Sequence, residues 1–263
     1  MPNERGNHNL NFKEKLFHFF KAVARRLRRC QTDCSIAKSR IQLRKWKNIY
    51  AGKRCFIIGN GPSLTAEDLG FLDKELTFAS HGIYYIYDKT RWRPTFYTAQ
   101  DQKLICQRYA EIKDNCKDSQ CIFAACKYLS YPRFRCCDVI VDLVIEVFEQ
   151  SFPKFSANPC RCVYEGMTVT YFNIQLAIYM GFSEIYLLGV DHFYSGGSND
   201  HFSKKDICTN LPKTHLSTKA YIAAKQYADN HGVKIYNATR GGHLEVFERV
   251  NFDLLFEKES YES

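Results

Sequence analysis

The 263-residue chain is 45% apolar and 25% charged, enough to bury a sizeable core as one domain with an appendage or as two small domains. No window reaches the roughly 18 consecutive apolar residues of a membrane span, and Met1–Leu10 lacks the apolar core and cleavage site of a secretory signal. The net charge of +9 is uneven: residues 1–54 hold 15 Lys/Arg and 3 Asp/Glu, a net of +12, and the rest hold 22 and 25, a net of −3. A domain that binds nucleic acid carries its basic residues on its own binding face, so no nucleic-acid partner is expected. The 12 cysteines, spaced as in Cys30/Cys34, Cys136-Cys137 and Cys160/Cys162, match no paired CxxC zinc pattern. Reduced thiols, a cytoplasmic location and no structural metal are expected.

In chain order, the first element is an arm. Phe12, Leu16, Phe19, Phe20, Val23 and Leu27 recur at helical spacing, with Lys13, Lys21, Arg25, Arg28 and Arg29 largely between them. A basic amphipathic helix with aromatic anchors is the type that lies on an anionic membrane surface, here through residues 10–30. The alternative is a helix packed on its own domain or on another subunit. A second basic stretch, Lys38 to Lys53, leads into the first strand. The arm is assigned to residues 1–50 and the globular domain to 51–263.

From Arg54 onward strands and helices alternate. Strands are predicted at Cys55–Ile58, Leu76–Ser80, Thr95–Thr98, Gln120–Ala124, Val139–Val141, Glu184–Leu188 and Val233–Tyr236. Helices are predicted at Thr65–Leu72, Gln102–Ile112, Thr168–Met180 and Thr218–Asn230. Gly181 and Gly232 stand where helix C-caps belong, each just ahead of a strand. The order predicts an α/β, Rossmann-like fold: a mainly parallel sheet with helices on both faces and ligands at the carboxyl ends of the strands.

Loops at those ends hold the candidate site residues. Gly59-Asn60-Gly61-Pro62-Ser63 joins the first strand to a helix, and its glycines permit a sharp turn and close approach of a ligand. Pro62 suits a first helical turn, and Ser63 with the turn's N–H groups could hold an anion. This is neither a Walker loop nor a GxGxxG fingerprint. Ser80-His81-Gly82 follows the second strand, and Gln100 and Asp101 follow the third. A lid around 191–215 begins with Asp191, His192, Tyr194, Asp200 and His201. Asp191 and His192 could be a metal pair completed by His201 or Asp200, a base and its orienter, or a capping Asp beside a satisfied histidine. Tyr194 and His201 could donate to a phosphate. Lys204, Lys205, Lys213 and His215 form a second polar cluster, in which His215 could accept a proton. His243 reads as structural.

Ile58-Gly59-Asn60-Gly61-Pro62-Ser63-Leu64, Phe78-Ala79-Ser80-His81, Phe96-Tyr97 and Ala177 to Asp191 resemble, in the same order, two related groups. One is the small bacterial CMP-sialic-acid-dependent sialyltransferases, and the other is the 6-hydroxymethylpterin diphosphokinase-like family. The resemblance covers roughly residues 54–240 and its motifs are common to both branches. It implies a GT-A-like variant of the Rossmann fold. In the sialyltransferase branch it implies that Gly59, Asn60, Gly61 and Ser63 hold the nucleotide, with His81 and Thr98 where that branch has asparagines. It further implies donor contacts from Thr168 or Thr170, phosphate contacts from Tyr194 and His201, and His215 as general base. Asp101 and Asp191 complete the expected nucleotide site. No metal and no cofactor are expected in this branch. The partners are then a CMP-sugar donor and a glycan acceptor, with a possible homo-oligomer at the inner face of the cell membrane. In the diphosphokinase branch ATP and Mg²⁺ fill the same cradle, with Asp101, Asp191 and Asp200 as ligands. The membrane-seeking arm suits a lipid-linked glycan acceptor and favours the glycosyltransferase reading.

Overall fold

The computed structural model describes residues 12–126, 129, 131, 134, 137–195, 200–203, 205 and 213–257; of these, nothing is said of the side chains at 12–15, 17, 18 and 28. Lys204 and the lid residues 196–199 and 206–212 lie outside them, as does the start of the arm. Among the described residues nine strands form one sheet in which every pair is parallel: β1 Arg54–Ile58, β2 Thr77–Ser80, β3 Phe96–Ala99, β4 Gln120–Ala125, β5 Val139–Val144, β6 Val163–Tyr164, β7 Glu184–Leu188, β8 Lys234–Asn237 and β9 Glu248–Arg249. The order across the sheet is β6-β5-β4-β3-β2-β1-β7-β8-β9. The seven predicted strands form within a residue or so, except that β5 runs three residues further. The two-residue strands β6 and β9 are too short to carry a periodic signal.

Both faces of the sheet are covered, so alternate residues of one strand enter separate cores. Cys55 and Ile57 join Phe78, Phe96, Ile122, Val141, Ile185 and Leu187 on one face. Phe56 and Ile58 join Ala79, Tyr97, Phe123, Ile140 and Leu188 on the other. Helices α4 Val169–Tyr179 and α5 Thr214–Asn230 cover the first face, α3 Gln102–Asn115 the second. Helix α4 is buried nearly all round, so its polar side chains need partners. Gln175 finds all of them: its amide nitrogen donates to Tyr164 O and Tyr171 O, and its oxygen accepts from Ser156 N and Tyr164 N.

The arm differs from its expected boundary. Helix α1 runs unbroken over Phe12–Trp46, through the second basic stretch. From residue 32 it belongs to the domain, because Thr32, Ile36, Ser39, Leu43 and Trp46 recur on one face and are buried, and α1 packs on β5. Ser39 Oγ accepts from Ile140 N, and Tyr179 Oη donates to Leu43 O. Only the part before residue 32 stands clear of the body.

One ion pair lies inside the second core. Lys113 Nζ reaches Asp138 Oδ1 at 2.7 Å, with the two side chains 5% and 0% exposed, and Tyr109 Oη donates to the other carboxylate oxygen. Removing one partner strands a buried charge. Lys113→Met is expected to cost about 3–5 kcal/mol in urea unfolding, and the double variant Lys113→Met/Asp138→Leu to recover most of it. Equal loss in the single and double variants would contradict this account.

Candidate functional site

Strand β1 has β2 on one side and β7 on the other; the chain leaves β1 toward β2 and β7 toward β8, so the connections after these two neighbours run in opposite directions. Loops after such strands splay apart and open a crevice at their carboxyl ends. A cavity of about 500 Å³ lies there, large enough for a nucleotide-sized ligand. Its walls include Gly59, Asn60, Gly61, Ser80, His81, Gln100, Asp101, Glu165, Thr168, Thr170, Asp191, His192, Tyr194 and His201. Four stretches after β1, β2, β3 and β7 therefore meet as the sequence predicts, joined by a fifth, Glu165–Thr170, of which the resemblance implies Thr168 and Thr170 but not Glu165 or Met167.

The first turn does something other than expected. Gly61 N donates to Gly189 O at 2.9 Å, so the β1 and β7 loops are bonded edge to edge. A Cβ on Gly59 would stand 2.3 Å from Gly189 O, and one on Gly61 would stand 1.8 Å from Asp191 Oδ2. These glycines make room for the β7 loop. Helix α2, Ala66–Gly70, starts only after Thr65, whose hydroxyl accepts from Asp68 N. Pro62 and Ser63 therefore sit in a turn ahead of it, and no helix N-terminus faces an anion here. Ser63 lies off the cavity and donates to Asp191 Oδ2 at 2.8 Å. Asp191 is 9% exposed; burial raises its pKa, and the Ser63 hydrogen bond opposes that rise.

Two further expectations are corrected. Thr98 lies within β3 and is fully buried; its hydroxyl donates to Asn173 Oδ1 of α4 at 2.7 Å, so it holds the sheet to a helix and does not reach the cavity. His215 does not precede α5 but sits in its first turn, exposed and off the cavity wall. Ser217 and Tyr221, four residues apart, share the wall-lining face, and His215 is roughly 200° around the helix from Ser217.

His192 is the histidine the geometry favours. It lines this cavity and a second, neighbouring one of about 450 Å³ bounded by Thr218, Ile222, Lys225 and residues 243–246. Its Nε2 is 2.8 Å from Thr218 Oγ1, and that hydroxyl donates to Thr214 O. A hydroxyl has one proton, so Nε2 carries the hydrogen and Nδ1 keeps the lone pair. Burial first, and His243 second, lower the pKa of His192, so the ring is neutral at pH 7. Glu165 is shifted the other way: burial first, and the Asp101 carboxylate second, raise it.

The wall is strained. Among the described residues, four non-glycine positions have positive φ, and three of them, His81 (52°), Met167 (59°) and His192 (57°), line the cavity. Gln100, also in the wall, gives its amide nitrogen to Glu165 O and leaves its buried oxygen without a protein donor. The lid folds back over the first turn, with Phe202 N donating to Asn60 O at 2.9 Å and the rings of Tyr194 and His201 meeting edge to face. Lys103, Arg108 and Lys213 bring positive charge to the same wall.

The three aspartates that would hold Mg²⁺ are already engaged. Asp101 caps α3 through Leu104 N, Asp191 accepts from Ser63, and Asp200 Oδ1 accepts from Ser195 N and Oγ. Among the described residues no three His, Cys, Asp or Glu side chains converge as a metal-ligand group.

The family profile of the 6-hydroxymethylpterin diphosphokinase MptE-like proteins matches residues 35–197. The chain belongs to the MptE-like family. That span starts inside α1, where the helix begins to pack on the sheet, and ends in the β7 loop. Among solved structures, the MAf glycosyltransferase from Magnetospirillum magneticum AMB-1 shares the fold at a TM-score of 0.51 and 14% identity, over 83% of this chain. The MptE-like chain spans 38% of the length of that glycosyltransferase. A comparison with curated protein sequences finds no match. The family and the fold neighbour are both named for group transfer, of a diphosphate in one and of a sugar in the other.

Proposed function

We propose that this MptE-like protein is a glycosyltransferase that moves a sugar, sialic acid or a related acidic sugar, from a CMP donor to a hydroxyl of a glycan acceptor. One observation carries the choice over pyrophosphoryl transfer from ATP. Asp101, Asp191 and Asp200 already serve a helix cap, a serine and a lid turn, and among the described residues no three such side chains converge as a ligand set, so a Mg²⁺ site would need them drawn together. The remaining wall chemistry suits a leaving phosphate stabilised by side chains: Tyr194, His201, Lys103, Arg108 and Lys213.

In this reading Gly59, Asn60 and Gly61 border the nucleotide, and Thr168 and Thr170 meet it from the start of α4. His192 Nδ1 takes the proton of the acceptor hydroxyl as its oxygen attacks the anomeric carbon. The bond from that carbon to the phosphate oxygen breaks, and its electron pair leaves with CMP. Thr218 orients the ring from the far side. His192 replaces His215 as base because it stands in the wall and is neutral at physiological pH.

Thermal unfolding with CMP, CDP, UDP and ATP, each with and without Mg²⁺, tests the reading. CMP or CDP at about 100 times its Kd is expected to stabilise the protein by about 2.7 kcal/mol. For a chain of this size that is a rise of about 5–10 °C in Tm, without metal. A shift seen only with ATP and Mg²⁺ would sink the glycosyltransferase and restore the diphosphokinase.

A further inference from the structure

Helix α1 changes character along its length. Between residues 32 and 46 it docks on the sheet through Thr32, Ile36, Ser39, Leu43 and Trp46. Before that, every residue with a described side chain from Phe19 to Gln31 is exposed. In this free part Leu16, Phe19, Phe20, Val23 and Leu27 form one apolar face, with Phe19, Phe20 and Leu27 each 61% exposed. At roughly 100° per residue this face spans about 100° and is centred about 170° from the docking face. The helix therefore cannot fold its apolar stripe onto its own domain by continuing the packing it already has. The stripe looks away from the body, and the same outward side carries Lys38, Ile41 and Lys45 alongside the docked half, all exposed.

We propose that the outward face of α1 binds an anionic lipid surface, with the helix lying between the bilayer and the globular body. Charge selects this occupant over a second copy of the chain. From Lys15 to Thr32 there is no Asp or Glu, while Lys21, Arg25, Arg26 and Arg29 are exposed. Two such helices stripe to stripe would set Arg26, at the edge of the stripe, and Lys38 and Lys45, on the same outward side, against their copies with no acidic partner beside them. An anionic headgroup layer neutralises the same residues, and aromatic and leucine side chains enter the acyl boundary beneath it. No described helix is long and apolar enough to cross a membrane, so the helix lies in the interface plane.

The test is co-sedimentation of the full chain with phosphatidylcholine vesicles, with and without phosphatidylserine. Binding is expected only with phosphatidylserine and is expected to weaken with salt. Phe19→Ser/Phe20→Ser/Leu27→Ser should lower it by about tenfold or more with an unchanged Tm, because these exposed side chains belong to neither core of the domain. Arg26→Gln/Lys38→Gln/Lys45→Gln, on the outward face, should weaken the phosphatidylserine dependence severalfold. Absence of binding to phosphatidylserine vesicles overturns the proposal. So does a dimer in light scattering that the Phe19/Phe20/Leu27 variant converts to monomer. Neither result bears on nucleotide binding, which is read separately by thermal shift.

Discussion

His192→Ala is expected to lower CMP release from CMP-sialic acid by about 10²–10⁴-fold while leaving nucleotide affinity unchanged, since the ring serves the proton and not the nucleotide. The pH profile separates this from a structural role. Burial and His243 hold the native imidazole below its ordinary 6.5. The base form therefore persists into mildly acid solution, and the acid limb of kcat/KM should lie below pH 6.5 and vanish in the variant. The stability linkage has a definite sign. The unfolded chain takes up the proton more readily, so the contribution of this group is complete above about pH 6.5 and is lost as pH falls toward the depressed native value. Glu165 and Asp191 are shifted upward, and they favour the native state as pH falls. Comparing wild type with His192→Ala across pH isolates the histidine. A His192→Gln enzyme with full turnover and an unmoved acid limb removes the base role and returns attention to Glu165.

Gly59→Ala is expected to destabilise the fold by about 1–3 kcal/mol or more and to weaken nucleotide binding with it. The new Cβ would meet Gly189 O at 2.3 Å and the Gly189 carbonyl carbon at 2.9 Å, and a main chain cannot rotate aside as a side-chain tip can. Relief requires the β1 and β7 loops to part, which breaks the Gly59 N to Leu188 O bond and carries Asp191 away from Gly61. Gly70→Ala is the matched control. Gly70 ends α2, has no atoms within 4 Å of its Cβ position and no positive φ, and should gain about 0.4–1 kcal/mol. Thermal and urea unfolding of both variants check the contrast, and the opposite ranking would refute the loop-packing account.

Much of the architecture is readable without coordinates, because it rests on short-range chemistry. Apolar runs such as Cys55–Ile58 and Ile185–Leu188 become buried parallel strands. Gly181 and Gly232, with φ of 91° and 71°, end helices where the pattern places them. Their alternation implies the parallel sheet, and the carboxyl-end rule then directs Asn60, His81, Asp101, Asp191 and Tyr194 to one crevice, where all five are found.

What local pattern cannot carry is which way a side chain turns once strands have chosen neighbours. Thr98 and His81 both follow or end a strand, yet Thr98 faces α4 and His81 faces the cavity. His215 and His192 are both polar loop-like histidines by composition. A helix that begins at Thr214 turns one outward, while β7, pairing with β1, brings the other into the wall. Ser63 and Asp191 are 128 residues apart, and their contact exists only because that strand pair forms. The glycines of the first turn carry the same lesson. Their spacing advertises a tight turn, but the β7 loop fills the room they leave, since strand order is set by long-range pairing and two-sided burial rather than by the residues of the turn.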